Sequence, residues 1–482
     1  MQIRLLSSRL GLLNSTTRLP FRYGKACLTR CPQATLEVLI EHDGRSCRGF
    51  SGDCLPPGWF DKTPGKSFQQ QLEEMCATIA ASQDCFSQIF ARPRPFFEGW
   101  LVAQREIHEW ADTQHLPGLL AGFGVSLVER AVIDATARLH QLSFAQLIHA
   151  DLLQLDAGKI HPELSSHRPT DWLPAQPRSE MYVRHTVGLS DPLTDDDIPI
   201  EDRLDDHFPQ SLEGYVSELG VRYLKLKISN QLEHDLQRLE TVATIMKRHR
   251  GDDYVVTLDG NEQFSDPAEF DALIERLQRN PRLAVLWKNT IVIEQPFSRE
   301  IALDPSKTEG IRKLSHAKPV IIDESDEDVG SYRRALDVGY RGISSKNCKG
   351  PIRSLFNAGL NWKRHQTESQ TLVMTGEDLC SVGIIPVQSD LCLTATLGLS
   401  HVERNGHHYH PGISYLPETQ QRLALKSHGD FYFQDEQFVR PRLMDGKFQI
   451  GTLQCIGFGF QPEPDFDAMQ SAQEWDFASL GL

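Results

Sequence analysis

The chain has 482 residues, 40% of them apolar and 24% charged, which is too much hydrophobic material for a disordered or collagen-like polymer. Its 65 acidic and 50 basic residues leave a net charge of −15, so general attraction to nucleic-acid phosphates is excluded, and no apolar run approaches the roughly 18 residues of a membrane span. Such a length predicts about two or three domains, one of them large enough for a barrel of about 250 residues.

The N-terminus carries Arg4, Arg9, Arg18, Arg22, Lys25 and Arg30 before its first acidic residue, Glu37, a pattern shared by organellar transit peptides. The run Leu36-Glu37-Val38-Leu39-Ile40, leading to the turn pair Asp43-Gly44, predicts a folded β-hairpin instead. Short strands are expected to about residue 60, ending in the loop Ser51 to Phe60, whose glycines and prolines exclude regular structure. Apolar residues then recur at three- and four-residue steps from about Phe68 to Phe90 and from about Val125 to Ile148, so residues 1–150 read as an α+β domain. Ten cysteines without a CxxC pair or zinc-finger histidine spacing read as reduced structural thiols in a cytoplasmic protein, Cys27 and Cys31 included.

Residues 178–410 follow a different pattern. Eight short apolar runs, at 181–183, 223–227, 254–258, 291–293, 319–322, 342–344, 372–374 and 398–400, each lead into a polar loop and usually a helical stretch. Asp266-Pro267-Ala268-Glu269 combines an N-cap, a proline at the first helical position and a capping-box glutamate, and Gly251 and Gly339 sit where helix C-caps belong. Strands alternating with helices predict a parallel sheet, and eight of them a closed α/β barrel of the TIM type. Residues 411–482 lose the alternation; Gly457-Phe458-Gly459-Phe460 is expected to form a strand, followed by a proline- and acid-rich tail.

In such a barrel the reactive groups stand at the C-terminal ends of the strands. Run two ends in Lys225-Leu226-Lys227, run three in Asp259, run four in Glu294, run five in Asp323 and run six in Lys346; from Lys227 onward the intervals are 32, 35, 29 and 23 residues, each close to one strand-helix unit. Three carboxylates on adjacent strands repel one another unless a cation neutralises them, and hard oxygen donors suit Mg²⁺, with Mn²⁺ as a substitute. The two-residue period turns Lys225 and Lys227 to the same side of their strand, inward, where a neighbouring cation and a nearby Mg²⁺ would both disfavour the charged form and let Lys227 act as a general base. Lys346 lies across the ring from Lys227. That arrangement suits removal of a proton beside a carboxylate. A Schiff-base lyase or aldolase using Lys227 or Lys346 is the alternative, which three ring carboxylates disfavour.

These residues resemble the enolase superfamily, in particular its branch of muconate-lactonizing enzymes, o-succinylbenzoate synthases and dipeptide epimerases. Lys225-Leu226-Lys227 is similar to its KxK motif, Asp259-Gly260-Asn261 to DxN, Glu294-Gln295-Pro296 to EQP, Asp323-Glu324-Ser325 to DES, and Ser345-Lys346-Asn347-Cys348-Lys349-Gly350 to its sixth-strand lysine motif. The resemblance implies a (β/α)7β barrel, with an α+β capping domain built from the N-terminal region and from the returning segment 411–482. It also implies Mg²⁺ on Asp259, Glu294 and Asp323, with Lys227 and Lys346 as the acid/base pair and Lys225 assisting electrostatically. The substrate would be a small carboxylate and the protein a homo-oligomer, with no nucleic-acid or membrane partner.

The chain departs from that pattern at Pro351 after Gly350, in extra length that includes residues 189–220, and in Glu377-Asp378 after the seventh run, where small apolar residues are usual. Glu377, Asp378 and Asn261 are expected to face the substrate, an N-cap being the alternative for the first two. Arg22, Tyr23, Asp53, Trp59 and Phe60 lie in the two loops that, by resemblance, cover the mouth, Arg22 with Lys25 meeting an anionic end of the substrate. His407, His408 and His410 are expected to be solvated in a Gly/Pro-containing loop.

Overall fold

In the computed structural model, which describes residues 1–23, 26–367 and 370–482, the acid-free opening segment is strand β1 (Gln2–Tyr23). It pairs antiparallel with β2 (Ala26–His42), which turns at Asp43-Gly44 into β3 (Arg45–Cys54). Both turn residues have positive φ, 50° and 73°, the geometry that Asp-Gly adopts at low cost. β3 continues through Ser51 to Cys54, into the stretch expected to be loop, because Ser51, Gly52, Asp53 and Cys54 all find ladder partners on β2. A two-residue strand, β4 (Arg94–Pro95), pairs with the start of β1.

Helix α1 (Phe68–Ile89) opens with a full capping box on Ser67 and Gln70. It is followed by α2 (Phe96–Thr113) and α3 (Gly118–Leu139). The long periodic stretch expected to end at Ile148 breaks after Leu139, and a separate helix α4 (Phe144–His149) starts at its own Ser143–Gln146 box. α3 is buried on nearly every side and packs on the sheet so closely that a Cβ on Gly49 of β3 would lie 2.2 Å from the Ala135 nitrogen. Glycine is required there by contact, not by φ.

Eight parallel strands form the second unit: β5 (Glu180–Val187), β6 (Tyr223–Lys227), β7 (Val255–Asp259), β8 (Thr290–Glu294), β9 (Val320–Ile321), β10 (Gly342–Ser345), β11 (Val373–Gly376) and β12 (His401–Arg404). They pair in chain order, β12 pairs back onto β5, and a bridge between Ile322 and Ile343 joins β9 to β10. The result is a (β/α)7β barrel beside the N-terminal α+β unit. Predicted caps are present at Asp266 for the helix Pro267–Arg279, at Gly251 (φ 63°) and at Gly339 (φ 119°). The eighth strand starts three residues later than expected: Gly398-Leu399-Ser400 is a turn, and His401–Arg404 carries the ladder.

After the barrel the chain returns to both units. Lys447–Gln449 pairs antiparallel with β5, and Gln470–Ser471 with β1. Gly457-Phe458-Gly459-Phe460 is not a strand, since both glycines have φ 94°; the turn they make buries Phe458 against Phe144. In the added segment 189–220, Arg18 of β1 pairs with Asp206 and donates to the Phe208 carbonyl at 2.7 Å and the His408 carbonyl at 3.2 Å. This segment therefore ties the β1–β2 hairpin to the barrel. Among the described residues no helix is long and apolar enough to cross a membrane.

Candidate active site at the mouth of the barrel

Strand register sets the height of the polar ring. Lys227 is level with Asp259, and Asp259 with Glu294, because these are direct partners across β6, β7 and β8. Asp323 follows β9 by two residues and Lys346 follows β10 by one. All five are at least nine-tenths buried or nearly so, the most open being the Lys227 side chain at 11% exposure. The loops holding them are conformationally costly: Asn261, Glu262 and Gln295 have φ of 43°, 69° and 33° without being glycine. Gln295 is locked by accepting from the Asp323 amide at 2.7 Å and donating to Ser325 Oγ at 2.6 Å, which joins the fourth strand end to the fifth.

Lys225 lies at the centre of the ring. Its Nζ donates to Glu377 Oε2 at 2.6 Å, Glu294 Oε1 at 2.8 Å and Glu403 Oε2 at 2.8 Å, and Asp259 Oδ2 is 3.1 Å away. Lys227 donates to the same Asp259 oxygen at 2.5 Å. Lys346 faces Asp323 at 3.2 Å, Glu377 at 3.7 Å and Glu403 at 4.0 Å. Lys349 donates to the Asp323 carbonyl at 2.9 Å, and its Nζ is 3.0 Å from Asp323 Oδ1, which also accepts from Ser344 Oγ at 2.6 Å.

Strands β11, β12 and β5 complete the ring. Arg184 of β5 is fully buried, pairs with Glu377 and donates to the Gly376 carbonyl at 3.1 Å. Glu403 Oε1 accepts from Thr186 Oγ1 at 2.7 Å and Asn405 Nδ2 at 3.1 Å. Asp378 accepts from Asn405 at 3.0 Å and pairs with Arg404 at 3.3 Å. Arg184, Glu403 and Lys349 had no place in the sequence-based site. Lys349 sat inside a recognised motif without a role, and Glu403 was hidden by the three-residue error in strand eight. Arg184 directly follows the first apolar run, 181–183, the position read on runs two to six but not on run one.

Formally, five cationic groups (Arg184, Lys225, Lys227, Lys346, Lys349) face five carboxylates (Asp259, Glu294, Asp323, Glu377, Glu403). Burial works against the charge on each of the three strand-end lysines, but the carboxylates win: Lys225 and Lys346 are held well above the ordinary lysine value, and Lys227 above it, chiefly by Asp259. The expectation of Lys227 as a base near neutral pH rests on Lys225 together with a nearby Mg²⁺; Lys225 does act in that direction, and Asp259 opposes it. Burial raises Asp323 too, yet Lys346 and Lys349 bring it well below its usual value. Burial and then Glu377 push Glu294 well above its own.

Above the ring, Phe21, Tyr23, Pro56, Trp59 and Leu379 enclose a small cavity of about 50 Å³ with Lys227, Lys346, Asn261 and Asp378. Trp59 lies with its ring 5.5 Å from Lys346 Nζ. Arg299 fastens this loop, donating to the Trp59 and Phe60 carbonyls at 3.1 and 2.9 Å while pairing with Glu262 at 2.9 Å. Tyr23 OH donates to the Pro57 carbonyl at 2.7 Å, so the two capping loops are bonded to each other.

Other expected contacts lie elsewhere. Arg22 is exposed and outside the cavity lining, and Lys25 lies outside the described residues. Asp53 is buried in an ion pair with Arg130 at 2.9 Å, behind the wall, because β3 extends far enough to carry it against α3. The three histidines are buried, not solvated: His407 meets His185 at 3.0 Å, His408 meets Tyr215 OH at 2.7 Å and His410 meets Cys380 Sγ at 3.7 Å. The helical turn at Gly406–Tyr409 packs this loop under β1 and the added segment.

Asp259, Glu294 and Asp323 present only oxygen donors, the set a hard divalent cation takes, and Glu294 Oε2 is buried without a hydrogen-bond partner. Their chemistry fits Mg²⁺. Among the described residues no three acidic, histidine or cysteine side chains already stand as a ligand cluster, for ammonium groups lie among these carboxylates.

No family model matches the sequence, and no curated protein does. Solved structures do match the fold. A dipeptide epimerase from Enterococcus faecalis, complexed with Mg and the dipeptide L-Leu-L-Tyr, is 14% identical, with 96% of this chain and 100% of that one covered at a TM-score of 0.57. A muconate lactonizing enzyme from Pseudomonas fluorescens, complexed with muconolactone, is 16% identical over 96% and 98% of the two chains at 0.55. An enolase from Bradyrhizobium, complexed with magnesium and mandelic acid, is 14% identical over 98% and 97% at 0.54. The chain thus has the fold of enolase-superfamily structures along nearly its whole length.

Proposed function

We propose that this chain is an enolase-superfamily enzyme that uses Mg²⁺, removes a proton α to the carboxylate of a small-molecule acid and resolves the resulting enediolate by racemisation, epimerisation, cycloisomerisation or β-elimination. The observation that carries this reading is the placing of Lys227 and Lys346 at barrel positions two and six, flanking an arc of three carboxylates. Asp259, Glu294 and Asp323 would hold the ion. When bound, the ion supplies two positive charges to a ring whose own charges balance, which matches the two negative charges of an enediolate.

Of the forces on Lys227, burial and Lys225 favour the neutral amine and Asp259 opposes them. Withdrawal of the Asp259 carboxylate from that ammonium is the change that makes it a base. Lys346, backed by Asp323 and covered by Trp59, keeps its proton and can deliver it from the other side. The apolar wall of Phe21, Trp59 and Leu379 excludes water and strengthens both interactions.

The test is α-proton exchange in D₂O across a library of carboxylic acids, with Mg²⁺ and after chelation. Exchange that requires the metal and both lysines supports the reading. Absence of exchange together with borohydride trapping of a lysine adduct would replace it with Schiff-base chemistry.

A further inference from the structure

The three N–H groups of an ammonium serve three acceptors at most, yet four carboxylates converge on Lys225. Two of them, Asp259 and Glu294, belong to the arc assigned above to the metal. The other two, Glu377 and Glu403, come from β11 and β12, and each is anchored through its other oxygen. Arg184 holds Glu377 Oε1, and Thr186 with Asn405 holds Glu403 Oε1, at 2.7 and 3.1 Å. Both therefore present Oε2 to the same ammonium, at 2.6 and 2.8 Å. They are 1% and 4% exposed, so these orientations do not depend on solvent.

An ammonium that depended on Asp259 and Glu294 alone would face two costly outcomes when a divalent ion took those carboxylates. It would compete with the ion, or it would remain buried without a partner. We propose that Glu377 and Glu403 are positioning residues that form a resident counter-site for Lys225, so that this lysine can release Asp259 and Glu294 to the cation while staying paired. The proposal rests on the metal reading given above, and it assigns to the acidic strand-seven and strand-eight positions a role in metal affinity.

The experiment is calorimetric titration of MgCl₂ into the full-length protein and into Glu403→Gln, Lys225→Met and the double variant, with thermal melts as a folding control. Glu403→Gln keeps an amide oxygen for Thr186 but weakens the hold on Lys225, and should raise the Mg²⁺ Kd about tenfold. In the Lys225→Met background, where no ammonium competes, the same substitution should change Kd less than about twofold. Should Glu403→Gln not fold, Thr186→Val, which leaves Glu403 Oε1 held by Asn405 without Thr186, should give a smaller loss with the same dependence on Lys225. An equal loss in both backgrounds, or none in either, overturns the counter-site alone. No Mg²⁺ uptake by the unsubstituted protein overturns the metal reading and the counter-site together.

Discussion

Along β6 to β10 the barrel mouth carries a charged group at or just beyond each strand end, at intervals of 23 to 35 residues, with Lys225 and Lys349 beside them. Along β11, β12 and β5 it carries three more, but Arg184 sits in mid-strand, Glu403 inside β12 and Glu377 just beyond β11. The first arc is legible from its strand ends taken together, since three carboxylates and two lysines in register point to a cation and a proton. In the second arc no residue has a meaning alone. Arg184 explains Glu377, and Glu377 and Glu403 explain why Lys225 can be buried among acids. On the proposed reading the first arc serves the reaction and the second keeps the first electrically tolerable.

The comparison breaks most sharply on the first arc. Chelation should abolish turnover and Mg²⁺ or Mn²⁺ restore it, while Asp259→Asn, Glu294→Gln and Asp323→Asn should each weaken metal uptake in a protein that still melts cooperatively. Undiminished turnover after chelation would sink the assignment. Lys227→Ala and Lys346→Ala should each lower kcat at least about a hundredfold. In a two-base racemase each would still exchange the α-proton of one stereoisomer, so exchange rates measured on separate enantiomers distinguish that case from elimination.

On the second arc the expected damage is to folding. Glu377→Ala leaves Arg184 without its carboxylate partner and removes one of the acceptors of the Lys225 ammonium in a dry interior, and should cost about 3 kcal/mol in urea unfolding, the scale for breaking a buried pair. An equal loss from Asp259→Asn would erase the division between the arcs.

A pH effect of similar or smaller size belongs to Glu129, which supports the loop after β10 by accepting from the Ile352 amide at 2.9 Å and from Trp100 Nε1 at 2.7 Å. Burial pushes its carboxyl up to about 7 despite those bonds, from an ordinary value of 4.5. The folded protein therefore keeps a proton that the unfolded chain loses. Stability is highest below the unfolded value, falls as pH rises through this window, and levels off above about 7, by about 3 kcal/mol at most. Melting temperatures at pH 5 and pH 8 should differ less in Glu129→Gln than in the unsubstituted protein. The smallest effect should come from Arg22→Ala. An exposed arginine outside the cavity lining should change stability by no more than about 0.5 kcal/mol and leave KM unaltered; a large rise in KM would return Arg22 to the site.

Much of the fold was legible because it rests on local chemistry. The Asp43-Gly44 turn, the Asp266 cap and the C-caps at Gly251 and Gly339 work through residues at fixed short offsets, and the apolar runs of strands two to six needed only their period. The errors fall where a neighbour decided the outcome. Periodicity ran across Leu139 without a pause, yet the chain turns there to bring Phe144 onto Phe458. The run Gly398-Leu399-Ser400 was apolar enough to pass as a strand, while His401–Arg404, three of its four residues charged or titratable, took the ladder because β5 offers it four partners.

The sequence by itself determined the order of the elements and five of the charged groups that ring the mouth, since the spacing of strand ends counts whole strand-helix units. Only the tertiary structure decided the charge state of that ring. Lys227 stands above neutrality because the ladder sets Asp259 beside it, Asp53 is withdrawn because β3 carries it against Arg130, and Lys225 is tolerated because Arg184, Glu377 and Glu403 meet from three other strands. Electrostatic energies depend on distances between groups far apart in sequence and on the exclusion of water around them, and both exist only once the barrel has closed.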